Sequence, residues 1–365
     1  VVILLTINKI SGILLDFNVH KQKAVINLNS FIFAVFANNV SSLTVRIDAM
    51  KKLAILLGLP FLFLQLGFTQ PLDSWDEHKM IVQREKQVSE IMHMDDIFSE
   101  RWDLLPQMHY WKVVMQLSPD SCVVSTGMDK KIIQVMPSNE WKTYTTDEQK
   151  NKAKEKLKQE LNIPENEILN VVIGKSNFYL FEAVYPSLNQ GVKAFEKHNV
   201  DPWYAQAILL IESPGQLKKS TTGAYGPFQL MPEVARAQGL TVNDWKDERK
   251  DFERSAYGAA RLISKICIPE ARKILKSYGI SFTETDLWFR LFVMHIYHAG
   301  AGNVKAVVGK IAPQKGGKEL ILSMWKTKAA SFGNSSQNYS QVAIAAQLIL
   351  HDIIYNKCET IYHCR

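Results

Sequence analysis

The stretch DPWYAQAILLIESPG, residues 201–215, decides the reading of this chain. Asp201 followed by Pro202 is a strong helix opening: a capping acid, then a proline whose missing N–H and fixed φ suit the first helical position. Trp203, Ala207, Leu210 and Ile211 line one face as core, and Ser213-Pro214-Gly215 stops the helix directly after Glu212. That glutamate stands at the negative end of a helix dipole with Leu209, Leu210 and Ile211 beside it. Both features disfavour the carboxylate, so its pKa is predicted to be raised. A glutamic acid that keeps its proton near neutrality is what a glycosidic oxygen needs from a general acid. A helix-terminal glutamate is more often simply solvated, so the assignment rests on what surrounds it in the sequence.

Eleven residues beyond Glu212 comes Gly223-Ala224-Tyr225-Gly226-Pro227-Phe228-Gln229-Leu230-Met231-Pro232. Further on are Ile296-Tyr297-His298-Ala299-Gly300-Ala301-Gly302-Asn303 and a late tyrosine, Tyr339. In order and spacing these segments resemble the lytic transglycosylase domain, which is related to goose-type lysozyme. The family pattern is Glu-Ser at a helix end, Gly-Ala-x-Gly-Leu-Met-Gln-x-Met-Pro opening the next helix, Ala-Tyr-Asn-Ala-Gly, and then the tyrosine. The resemblance implies a lysozyme-like helical domain over residues 195–355, with Glu212 as catalytic acid/base. It implies substrate contacts from Ser213, Ser220, Gly226, Gln229, Tyr297, His298, Asn303 and Tyr339.

The residue types suit a saccharide groove. Gly223 and Gly226 let the backbone turn and approach a sugar ring without a Cβ in the way, or serve only as a tight turn. Gln229 offers donor and acceptor together, for an N-acetyl group or for the neighbouring helix N-terminus. Tyr297 carries a hydroxyl on an aromatic body and serves equally well as ligand or core. The sequence departs from the family in three places. Pro227-Phe228 replaces Leu-Met, a shape change expected to alter sugar-subsite packing. His298 replaces the asparagine, exchanging an amide for a ring that titrates. Gln337-Asn338 stands where Glu-Thr usually precedes the last tyrosine. His295 and His298 make an HxxH pair, but no third ligand follows at helical spacing, so no metal is expected.

Hydrolysing glycosidases pair two carboxyl groups, and these motifs supply only Glu212. The resemblance therefore implies cleavage of peptidoglycan glycan strands without water, the muramic C6 hydroxyl closing to a 1,6-anhydro end, with no cofactor. Two rivals remain open: a hydrolytic muramidase in which Asp244, Asp247 or Asp251 positions water, and a catalytically silent wall-binding protein.

Around these motifs the pattern from Phe195 onward is helical. Helices are predicted at Pro202–Glu212, Pro232–Gln238, Phe252–Ile266, Ile268–Tyr278, Asp286–His298, Asn303–Val308, Lys318–Ser331 and Tyr339–Tyr355. Residues 74–186 read as a small mixed α+β module, making the whole α+β, with a mostly helical C-terminal domain. Trp111–Leu117, Ser121–Thr126 and Lys131–Met136 are β-branched runs between turn signals, predicted as strands, and Val171–Ile173 makes another. Thr145 with Glu148 reads as a capping box for a helix over Asp147–Leu161. The module carries no motif and is open to a partner- or wall-binding role.

The 365 residues are 47% hydrophobic and 22% charged, the composition of a chain that folds. The formal charge of +7 is concentrated in front: residues 1–70 carry six Lys/Arg and two Asp, and without them it is +3, too weak for a nucleic-acid binder. Lys51-Lys52 precedes sixteen uncharged residues, Leu53–Phe68, with small Gly67 and Thr69 before Gln70. This has the layout of a secretory signal peptide over 50–69; the alternative is a membrane anchor, for which sixteen residues with Pro60 and Gln65 are short. Residues 1–49 lie before a complete leader and read as a spurious upstream extension; the alternatives are a prodomain or a weak span around Ala24–Val45, which four Asn residues disfavour. The mature protein is expected in the periplasm or outside the cell, without a stable span. Four cysteines permit disulfides in that setting; Cys358 and Cys364 are the natural pair, whereas Cys267 in an apolar helix suits a buried thiol.

Overall fold

In the computed structural model, residues 75–84, 87–175, 181–212, 220, 222–357 and 360–363 are described. The expected extension at 1–49, the leader at 50–69, Ser213 and the Cys358/Cys364 pair lie outside them.

The organising element is helix α5, Trp203–Glu212, in which every residue from Trp203 to Leu210 is buried. A helix apolar on all sides belongs in the middle of a structure rather than on its surface. Its start is fixed as the sequence predicts: Asp201 Oδ1 accepts from the Trp203 N–H at 2.9 Å. The other carboxylate oxygen of Asp201 accepts from Arg290 Nε at 2.8 Å, and that guanidinium, 3% exposed, also reaches Asp96 at 3.5 Å.

In front of α5, β1 (Lys79–Arg84) and β2 (Gln87–Met92) form a hairpin, followed by α1 (Asp95–Ser99) and α2 (Pro106–Met115). Next come β3 (Ser121–Thr126), β4 (Lys131–Pro137), α3 (Asp147–Glu160), β5 (Leu169–Ile173) and α4 (Phe181–Lys197). After α5 the chain is helical: α6 (Pro232–Ala237), α7 (Phe252–Leu262), α8 (Ile268–Ser277), α9 (Leu287–Ala299), α10 (Ala301–Ile311), α11 (Lys318–Lys326) and α12 (Asn334–Lys357). A short strand β6 (Thr360–His363) closes the description. Each helix expected after Asp201 has a counterpart, and the α+β class with a helical C-terminal part is what the structure shows.

Among the described residues there are two antiparallel three-stranded sheets, ordered β2-β1-β6 and β4-β3-β5. The first is joined to the helices through Gln206 of α5, whose side chain pairs with both backbone groups of Met92 at 2.9 and 3.0 Å. Met80, Val82, Ile91 and Met92 accordingly share one core with Leu188, Tyr204, Phe289 and Ile344. In the second sheet β3 is covered on both faces. Cys122 and Val124 meet Trp141 and Leu157 on one side, and Val123 meets Tyr110 and Val114 on the other.

One predicted strand is corrected. Trp111–Leu117 falls within or just after α2, which Pro106 opens at its first position. Burial of Met108 and Met115 in the main core on one side, and of Tyr110 and Val114 against β3 on the other, outweighs the β propensity of Val113-Val114. The capping box of α3 also sits one residue later than predicted, on Thr146 and Gln149. Between α7 and α8, Ile263–Cys267 forms a π-helical turn. Pro269 has no N–H to return to the Lys265 carbonyl, and the wider turn absorbs that loss. Cys267 is buried there and burial pushes its thiol up to about 12. No described helix is long and apolar enough to cross a membrane.

Candidate active site

Glu212 is the last residue of α5 and half-buried. Burial raises its pKa, and the hydroxyl of Tyr339 acts weakly the other way. Among the described residues no charged group shifts it. Tyr339 comes from α12 and is 7% exposed; its hydroxyl is buried without a well-formed hydrogen bond. Tyr297, near the end of α9, donates its hydroxyl to the Phe228 carbonyl at 2.6 Å. Burial and the neighbouring Glu212 carboxylate hold both phenols well above their ordinary range. Three helices thus bring one carboxyl group and two phenols together, and Tyr297 ties them to the glycine-bearing loop.

That loop is built by its own polar groups. The Ser220 hydroxyl accepts from the Ala224 N–H at 2.9 Å and pairs with Thr222 at 2.9 Å. Tyr225 and Leu230 exchange backbone hydrogen bonds at 3.1 and 3.2 Å, closing a tight loop. Within it Gly226 has φ +84°, and a Cβ there would stand 1.8 Å from the Arg249 carbonyl oxygen. Gly226 therefore exists to let backbone approach backbone, the tight-turn alternative in a stronger form. Gly223 is different: φ is +98° and a Cβ would meet nothing within 4 Å. Gln229 is held at φ +46° and its Nε2 donates to the Gly226 carbonyl at 3.0 Å.

The expectation that Pro227-Phe228 alters the sugar subsite is not met for Phe228. Its ring is fully buried, stacked on Phe195 with centroids 5.5 Å apart and edge-on to Phe252. The departure from the family is a core substitution, and only the Phe228 carbonyl, held by Tyr297, borders the site.

His298 and His295 part company. His298 is exposed and stacked on the Tyr339 ring, centroids 4.2 Å apart and planes 19° from parallel, and partial desolvation lowers its pKa. His295 is fully buried, and its Nε2 lies 2.8 Å from Ser340 Oγ. Trp325 Nε1 donates to that same oxygen at 2.7 Å, so the serine proton goes to Nε2. Burial pushes the His295 imidazole down to about 3. Among the described residues no group of three His, Cys, Asp or Glu is placed to hold a metal ion. Asn303 turns its amide inward: Nδ2 donates to the Ala299 carbonyl at 2.8 Å and Oδ1 accepts from the Ser331 N–H at 3.1 Å.

Arg249 is the residue that sequence reasoning missed. It is 3% exposed, and Nε and Nη2 form a bidentate pair with Asp247 at 2.9 and 2.7 Å. Nη1 donates to the carbonyls of Gly223 and Leu230, both at 2.9 Å, clamping the two ends of the loop. An acid two residues before an arginine is too common a pattern to have signalled this. The three aspartates considered for positioning water are otherwise placed: Asp247 serves Arg249, Asp251 caps α7 through the Arg254 N–H at 2.8 Å, and Asp244 is exposed.

Residues 192–319 match the Transglycosylase SLT domain. This part of the chain is a transglycosylase domain of the lysozyme-like type, as the resemblance implied. No curated protein matches the chain. The match includes Glu212, the loop and Tyr297; Tyr339 lies beyond its end.

Proposed function

We propose that the protein is a peptidoglycan lytic transglycosylase that cleaves the β-1,4 bond between N-acetylmuramic acid and N-acetylglucosamine, with Glu212 as its only acid/base. The observation that carries the proposal is a carboxyl group, raised in pKa by burial, facing the phenols of Tyr297 and Tyr339. A raised pKa keeps the carboxyl protonated near neutrality, ready to give its proton to the glycosidic oxygen as the C1–O4 bond breaks. The substrate's own N-acetyl carbonyl stabilises the oxocarbenium-like centre. Glu212, now a carboxylate, takes the proton of the muramic C6 hydroxyl, and O6 bonds to C1. The proton moves in net from O6 to O4, and no water is consumed.

Tyr297 and the loop clamped by Arg249 hold the wall of the groove, with Ser220, Gly226 and Gln229 shaping it and Asn303 bracing its far side. Tyr339 and His298 supply a stacked pair, and Ser213 follows the acid in sequence. The engagement of Asp247 and Asp251 in structural contacts favours this mechanism over a hydrolytic one, which needs a second free carboxylate. The reading carries with it export through a leader at 50–69, action outside the cytoplasm, and an accessory role for 74–186 beside a catalytic domain at 195–355.

Digestion of purified sacculi followed by mass spectrometry tests the proposal. Anhydro-muropeptides are expected, and reducing ends in their place would assign hydrolysis. Glu212→Gln is expected to abolish clearing while leaving sacculus binding; a variant as active as the parent would refute the assignment of the acid.

A further inference from the structure

Trp245 is 96% exposed, while each of the other seven tryptophans is buried or half-buried. It sits at the tip of a hairpin that spends many hydrogen bonds on holding it still. Asn243 Oδ1 accepts from the N–H groups of Trp245 and Lys246 at 3.0 and 2.8 Å. The Asn243 N–H bonds the Lys246 carbonyl, and the Glu248 N–H the Thr241 carbonyl, each at 2.9 Å. Glu248 closes the base through the Thr241 N–H at 2.7 Å, Lys246 at 2.8 Å and Arg254 at 3.1 Å. Asp247, in the same hairpin, holds Arg249, and Arg249 holds Gly223 and Leu230. The exposed indole is therefore carried on a rigid arm fastened to the loop beside Glu212.

We propose that Trp245 is a stacking platform for an amino-sugar ring of the glycan strand, outside the bond-cleaving site; the inference rests on the functional reading above. A sugar ring has an apolar C–H face and a polar rim. Trp245 offers a flat apolar surface, and the same hairpin exposes the polar Thr241, Asn243, Asp244 and Lys246; together they complement both. A lipid surface is the other partner that takes exposed tryptophan. Insertion there needs several neighbouring apolar side chains, whereas this tip has one aromatic group, flanked by the charged pair Asp244 and Lys246.

The test uses the full chain carrying Glu212→Gln and peptide-free glycan strands. Acrylamide quenching of tryptophan fluorescence reports mainly on Trp245, and added strands are expected to protect it. Trp245→Phe keeps the affinity for strands, and Trp245→Ala weakens it about two- to tenfold, the worth of one aromatic stack. In the otherwise parental enzyme Trp245→Ala raises KM and leaves kcat unchanged. An unchanged Kd and KM in Trp245→Ala overturns the proposal, as does protection by phosphatidylglycerol vesicles without protection by strands. If instead strands protect Trp245 while Glu212→Gln still clears sacculi, the catalytic assignment fails and the platform stands.

Discussion

Gly226→Ala and Gly223→Ala are expected to fail in different ways, and the difference can be worked out from the geometry. At Gly226 the new Cβ would lie 1.8 Å from the Arg249 carbonyl oxygen and 2.8 Å from its carbon. The backbones must separate by about 1 Å or more to restore an ordinary contact. Arg249 cannot retreat cheaply, because its guanidinium is fixed on Asp247, Gly223 and Leu230. Overpacking of this kind costs about 1–3 kcal/mol, and a side chain at φ +84° adds about 1–3 kcal/mol. The sum of about 2–6 kcal/mol corresponds to a fall in Tm of roughly 4–24 °C at about 2–4 °C per kcal/mol. Gly223→Ala bears the backbone strain alone, since its Cβ points into open space. It should melt only a few degrees low, and on the proposed function its defect should appear as a raised KM, because the methyl group projects from the loop into open space. Circular dichroism melts and sacculus-clearing kinetics on both variants decide the matter. A Gly226→Ala protein that melts within about 2 °C of the parent, or higher than Gly223→Ala, would refute the close approach of the two backbones.

Three further outcomes are expected. Glu212→Gln should stabilise the fold progressively as pH rises above 4.5, the ordinary carboxylate value. The folded state holds a proton that the unfolded chain has already released, so the parental stability declines with pH until the raised folded pKa is passed. Equal pH–Tm curves for parent and variant would contradict burial of the acid. His295, at about 3 in the fold against 6.5 unfolded, refuses a proton that the unfolded chain accepts. Stability should fall as pH drops from 6.5 towards 3, by at most about 5 kcal/mol, and urea titrations should find that slope flattened in His295→Gln. Arg249→Met leaves the Asp247 carboxylate unpaired at a cost of about 3–5 kcal/mol. Adding Asp247→Asn should recover part of it, and strict additivity in the double-mutant cycle would mean the two do not interact.

The helical half was legible because each of its helices carries a local signal: Asp201-Pro202, Pro232, or the 3.6-residue apolar period of 286–298. The first sheet was not. β1, β2 and β6 are short strands whose pairing joins Met80 to Ile91 and to His363, positions hundreds of residues apart in the last case. No local pattern encodes such a pairing. Helix α4 was missed because Pro186 lies inside it, which reads as a break. The misreading of Trp111–Leu117 shows the opposite failure, a local propensity overruled by the two faces that α2 buries.

At the site, the motif carried its residues but not their orientations. A family pattern marks positions that cannot vary freely, and it does so whether the constraint comes from substrate or from scaffold. Gly226 and Asn303 entered as sugar contacts, yet Gly226 meets the Arg249 carbonyl and Asn303 joins Ala299 to Ser331. Only atoms in space separate the two causes. The departure at Phe228 illustrates the same point from the other side. An aromatic ring in place of methionine would be alarming in a sugar subsite, but buried between Phe195 and Phe252 it is a repacking that leaves the Phe228 carbonyl where Tyr297 needs it. His298 is the departure that reaches the surface at the site itself, stacked on the tyrosine that faces Glu212. Any difference in substrate preference from the family should therefore be sought at His298 and not in the loop.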